Sequence, residues 1–336
     1  MRLRLPTVIL GALVLAGPAC ATKEEAPSPP EAEPKQAAAP APVPAPEPEE
    51  AKTKRVEIAK AEPPKVTLEK AGADPKEALR LAPTVAAEES IVLTMEMKMK
   101  MAASGQKMPA VTTPPMIVDA RARVDAADGD TLKLTYAIDR IRVGESKNAN
   151  PAVVATLKSM LEGMDAFEAH FEMDTRGLLA GGYVDVPTGL PPRMQQMTEQ
   201  LQDSFAQIPV PLPEEPVGVG AKWTSVGTVD QGGMKIQQVA KYELLSRNGA
   251  DIKLRLKFSQ KLIDPTFAPP GMPGVKAKVA SFQSGGKGEV EVSMGHLTPT
   301  SRKSSTKLKM LMNMSAMGQE RKQDLEMDMG LALVRK

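Results

Sequence analysis

From about residue 88 to the end of the chain, apolar and polar positions alternate. Ile91, Leu93, Met95, Met97, Met99 and Met101 hold the odd places of one stretch, and Thr94, Glu96, Lys98 and Lys100 the even ones. A period of two marks a strand with one buried and one wet face. The same alternation runs through residues 116–124, 132–138, 169–173, 234–244, 252–258, 308–314 and 325–333. Asp128-Gly129 and Asn248-Gly249 separate neighbouring runs as hairpin turns. The glycine-rich stretch at 284–289 lacks phosphate-loop spacing and also reads as a hairpin turn.

Three segments break the alternation in favour of helix. Residues 151–164 follow Asn150 and open with Pro151, and they put Val153, Val154, Leu157, Met160, Leu161 and Met164 on one face. Residues 191–207 carry Met194, Met197, Leu201 and Phe205 on one stripe. Asp74 and Pro75 read as the cap and first position of a short helix to residue 82. Pro209, Pro211, Pro213 and Pro216 then exclude helix and inner strand, making a stiff strap that ends at Trp223.

The hairpin at 116–138 has a counterpart at 234–258, and residues 171–179 have one at 290–298, in the same order and at nearly the same offset. This predicts a diverged internal duplication with two consecutive antiparallel meanders of about five strands each. The expected fold is mainly β with two helices, an α+β arrangement in which one curved sheet or half-barrel wraps the helices. The globular part is placed at 89–336, with repeat halves at about 89–187 and 217–336 joined by a helical and proline-rich connection at 188–216.

Composition changes the picture at the N-terminus. Arg2 and Arg4 precede an apolar stretch at 5–17 that is too short to span a bilayer, and the chain's single cysteine, Cys20, follows. Residues 1–20 resemble a bacterial lipoprotein signal with its lipobox, although Gly17 stands where leucine is usual. That resemblance implies lipid on Cys20, export, and membrane anchoring at the outer membrane, facing the periplasm or the cell surface. Residues 21–88 hold much of the chain's proline together with Ala, Glu and Lys, and they read as a disordered, extended tether. The formal net charge of +2 gives no reason to expect nucleic acid as a partner.

Residues 212–224 resemble a strap found in a bacterial family of secreted lipoproteins of unknown function. The matching positions are Leu212, Pro213, Pro216, Val217, Val219, Gly220 and Trp223. The resemblance implies an envelope location and a β-rich fold, and it brings no catalytic residue. A looser likeness, in architecture alone, is to curved half-barrel lipid carriers of the bacterial periplasm.

Candidate chemistry is sparse. Thioethers at MxM spacing suit Cu(I), but Met95, Met97 and Met99 fall in phase with Leu and Ile on one strand face, as a packed core requires. His170, Glu172 and Asp174 share the opposite, wet face of their strand. No catalytic residue, metal or cofactor is expected, and the protein is not read as an enzyme. The expected role is a lipid-anchored module binding a lipid or other apolar ligand, lined by Met95, Met97, Met99, Met160, Leu161, Met197, Leu201 and Phe205. The alternatives are a structural lipoprotein contacting envelope proteins and a methionine-rich Cu(I) binder.

Overall fold

The computed structural model describes residues 53–58, 62–103, 105–146, 151–161, 167–187, 208–231, 233–269, 275–316 and 319–336. The expected signal segment with Cys20, about half of the expected tether, and the second expected helix with Met197, Leu201 and Phe205 lie outside these residues.

The fold is mainly β, a single antiparallel sheet that is open and curved. Its strands are β1 (Thr53–Ile58), β2 (Lys65–Lys70), β3 (Glu88–Ala103), β4 (Gln106–Lys107), β5 (Val111–Thr112), β6 (Met116–Asp128), β7 (Thr131–Val143), β8 (Glu168–Asp174), β9 (Leu179–Pro187), β10 (Lys222–Gln231), β11 (Met234–Asn248), β12 (Asp251–Leu262), β13 (Thr266–Phe267), β14 (Lys276–Ser293), β15 (Ser301–Ala316) and β16 (Gln319–Arg335). One helix, α1 (Pro151–Leu161), is present among the described residues and buries Leu157 and Leu161. It realises the first expected helix over Pro151–Leu161; residues 162–164 of the expected helix lie outside the described residues.

The main path of the sheet is β1-β9-β8-β7-β6-β3-β16-β15-β14-β12-β11-β10-β2. The alternating runs form two meanders, β3 to β9 with five main strands and β10 to β16 with six. They join where the first strand of one, β3, pairs along its length with the last strand of the other, β16. The hairpins β6–β7 and β11–β12 hold corresponding places, as second and third main strands of their meanders.

The N-terminal strands show how strongly the sheet curls. β1 pairs with β9 at one edge and β2 with β10 at the other. In a flat sheet of these thirteen strands the two edges would lie roughly 58 Å apart at about 4.8 Å per strand. The seven steps from Ile58 to Lys65 span at most about 25 Å. The edges therefore curl toward one another, and the β1–β2 segment bridges the seam between them.

The ordered structure thus reaches further toward the N-terminus than the expected boundary near residue 88. Residues 71–87 cross one end of the curled sheet as a floor. Ala73 N–H donates to Val219 O, Leu81 N–H to Thr175 O, Ala82 N–H to Met294 O and Ala86 N–H to Val124 O. The short helix expected at 74–82 does not form. Glu77 pairs with Val217 in an isolated antiparallel bridge, and Leu79 and Leu81 are buried two places apart, as an extended chain requires. Tertiary hydrogen bonds to four different elements replace the local helical ones.

The glycine-rich stretch at 284–289 is likewise not a turn. It runs through the middle of β14. Phe258 faces Gly286 across the sheet, and a Cβ built there would lie 2.6 Å from its ring and 2.2 Å from Ser305 O. Here glycine permits close approach rather than a reversal.

The inner face packs into two apolar clusters. The larger surrounds the floor and includes Trp223, Tyr136, Leu79, Leu134, Leu212 and Leu254. The smaller lies toward the other end and includes Met97, Met99, Met234, Met310, Met312 and Met327.

Candidate functional site

Between these two clusters the inner face changes character. The buried alternation of β15 continues through Leu308, Met310 and Met312, but the same phase nearer the floor reads Arg302, Ser304 and Thr306, all half-buried. The neighbouring strands do the same at the same level. Thr306 faces Gly286 and Ser304 faces Gly288 on β14. Ser284 of β14 faces Gln260 of β12, which faces Gln238 of β11. The three are hydrogen bonded in a chain: Ser284 Oγ donates to Gln260 Oε1, and Gln260 Nε2 donates to Gln238 Oε1 at 3.1 Å.

This patch lines a cavity of about 80 Å³ whose walls include Arg302, Ser304, Thr306, Gln238, Tyr242 and Phe258, with Ile208 from the segment before β10 and Leu93, Leu331 and Leu333 from the joined strands β3 and β16. A second cavity of about 100 Å³ shares Gln238, Ala240, Tyr242 and Arg302 with it. That second space runs to the seam, where Glu62 and Pro64 of the β1–β2 connection face Ser225, Gly227 and Val229 of β10. One water needs about 10–15 Å³ on this measure, so each space has room for several waters or a polar head group.

Arg302 and Tyr242 shape the electrostatics. Burial pushes the Arg302 guanidinium down from its ordinary value, and Tyr242 opposes this. Burial pushes the Tyr242 hydroxyl up, and Arg302 pulls it back. The patch thus sets the Arg302 guanidinium and the Tyr242 phenol beside hydroxyls and amides. Its hydroxyls and amides can hydrogen bond a polar group of a ligand.

The structure divides the lining residues expected from the sequence. Met95 and Leu161 belong to the floor cluster, and Met97 and Met99 to the methionine-rich one. The Met160 side chain, like Met197, Leu201 and Phe205, lies outside what the structure describes. Met97 faces Met329 and Met99 faces Met327 across the β3–β16 pair. Met99 and Met327 pack with Ile236, Val279, Leu308 and Leu325, completing an apolar cluster.

The outer-face trio is divided: His170 and Glu172 line one open cavity of about 650 Å³ with Arg123, Asp125 and Tyr183, and Asp174 is not in its wall. Asp174 accepts the N–H groups of Arg176 and Leu178 and so closes the β8–β9 turn. His170 Nδ1 lies 2.9 Å from Thr135 Oγ1, whose hydroxyl donates to Asp125. Its ring stacks on Tyr183 at 4.5 Å, and the Arg55 guanidinium sits 3.7 Å over the same Tyr183 ring while it pairs with Asp185. This stack fastens β1 to β9. The strap motif is structural as well: Leu212, Val217 and Trp223 are fully buried, and Trp223 Nε1 donates to Pro211 O at 2.8 Å.

Sequence reading missed the polar patch. Its signal is a loss of apolar residues on the inner phase of β14 and early β15, where the glycines equally fit a turn. Comparison with protein-family models and with curated proteins gives no match to this chain.

Proposed function

We propose that this protein is a lipid-anchored, non-catalytic binding module of a bacterial envelope that holds an apolar ligand inside its curled sheet. The half-buried polar patch around Arg302, set on the inner face between two apolar clusters, carries this reading. A core built for stability alone fills such positions with apolar side chains, and departures from that rule mark functional sites. The methionine-rich cluster supports it further, because unbranched thioether side chains adapt to ligands of different shape. The anchor rests on the N-terminal pattern ending in Cys20, and residues between it and β1 act as the spacer from the membrane. The partners in this reading are the membrane and a lipid or similar ligand.

The test is native mass spectrometry of the full-length chain for co-purifying lipid, with uptake of a fluorescent fatty acid as the quantitative assay. Met97→Trp fills the methionine-rich end and blocks uptake at a cost of about 1–3 kcal/mol in stability. If the wild-type chain binds no apolar probe, a role in contacting envelope proteins replaces this one.

A further inference from the structure

We propose that the outer face of β11, β12 and β14, at the methionine-rich end of the sheet, docks against the anionic head groups of a phospholipid bilayer. This holds whether or not the interior takes a ligand. Residues 234–242 of β11, 256–262 of β12 and 276–288 of β14 contain no Asp or Glu. Their outward places carry Lys235, Lys241, Lys257, Lys261, Lys278 and Lys287, all exposed. The inward places of the same stretches bury Met234, Ile236 and Val279 in the methionine-rich cluster.

The register sets these lysines against one another. Lys241 faces Lys257, and Lys257 faces Lys287. Like charges directly opposite destabilise a sheet. The next row toward the floor has the stable arrangement: Glu243, Arg255, Glu289 and Lys303 alternate in sign across β11, β12, β14 and β15. Glu243 pairs there with Lys222 and Arg255, and Glu289 with Lys253, so both carboxylates are engaged within their own half. Of the exposed lysines named above, Lys241 alone reaches a carboxylate among the described residues, Glu69 at 3.9 Å. In the row beyond, Ser259 faces Gly285, so small residues leave the ammonium groups standing clear.

The lysines stand on one sheet face and not around a cleft. At about 3.4 Å per residue and 4.8 Å per strand, they cover roughly 20 Å by 10 Å. A surface of one sign, held against cross-strand repulsion, suits an extended anionic surface better than a small ion. The choice of a bilayer over a soluble polyanion rests on the Cys20 anchor of the reading above, which keeps a bilayer within reach.

The experiment floats the full chain carrying Cys20→Ala with vesicles of phosphatidylglycerol and phosphatidylcholine, or of phosphatidylcholine alone. The chain binds the anionic vesicles and not the neutral ones, and rising salt releases it. Lys257→Gln, Lys261→Gln and Lys287→Gln together weaken binding roughly hundredfold, about fivefold per lysine. Thermal stability of this variant is kept or raised, because facing like charges are gone. Lys107→Gln, Lys133→Gln and Lys158→Gln remove the same charge from β4, β7 and α1 and leave binding unchanged. Equal binding to both vesicle types, binding to neither, an equal loss in the two triple variants, or a preference for soluble heparin over vesicles overturns the proposal. Salt releases this contact but not an acyl anchor, so after a high-salt wash only the chain with Cys20 stays on membranes. A wild type that takes up no palmitate fells the anchor alone and leaves the vesicle result to stand by itself.

Discussion

Glu89 and Thr298, 209 residues apart, are held by two hydrogen bonds, because one carboxylate oxygen of Glu89 accepts both the backbone N–H and the hydroxyl of Thr298. The other oxygen accepts the Leu297 N–H at 2.7 Å, and Arg335 lies 3.8 Å from the carboxylate. One buried side chain thus ties the start of β3 to the loop before β15 and to the end of β16, across the join of the two meanders. Glu89→Ala leaves two buried N–H groups without acceptors and destabilises the fold by about 3 kcal/mol. Urea unfolding checks this: the midpoint falls while the slope stays constant.

A second tie at the same join depends on pH. Asp119 of β6 accepts from Arg142 at 3.1 Å and Arg140 at 3.2 Å, and Lys336 lies 3.4 Å away. Arg142 foremost holds the Asp119 carboxyl below the usual carboxylate range, with burial opposing and Arg140 and Lys336 assisting. A depressed folded value means that the stabilisation is complete above the ordinary value of about 4 and is lost as pH falls through the folded one. Asp119→Asn therefore lowers stability by about 1 kcal/mol at pH 7. Thermal unfolding curves of variant and wild type converge as pH falls through and below the lowered Asp119 value.

Gly286→Ala tests the close packing under the polar patch. The added methyl meets Ser305 O at 2.2 Å and the Phe258 ring at 2.6 Å, and the carbonyl belongs to a paired strand that cannot withdraw. The expected loss is about 1–3 kcal/mol, with impaired ligand uptake. Gly295→Ala is the control: nothing lies within 4 Å of its added methyl, and stability stays within about 0.5 kcal/mol of wild type.

Cys20→Ala tests the anchor directly. The variant leaves the membrane fraction, and labelled palmitate enters the wild type alone. Continued pelleting of the variant with membranes, together with an unlabelled wild type, overturns the anchoring.

By itself the sequence determined the strands of the alternating runs and the face each buries, but not β1, β2 or the glycine-rich middle of β14. Met95, Met97 and Met99 alternate with charged residues, and period two admits no other arrangement with one dry face. It also determined the hairpins at Gly129 and Gly249, where both glycines take positive φ. These features are local, set by neighbours one to four residues away. Only the tertiary structure decided the rest. The pairing of β3 with β16 joins strands more than 200 residues apart, and alternation alone cannot distinguish one partner strand from another. The floor at 71–87 has extended backbone because its hydrogen-bond partners lie on β6, β8, β10 and β14 or the turns beside them, overriding a local helix signal. The polar patch is decided the same way. Gln238, Gln260, Ser284 and Thr306 are unremarkable in their own strands, and they become a site because register and curvature set them side by side on the inside, where each polar group must find a partner or a ligand.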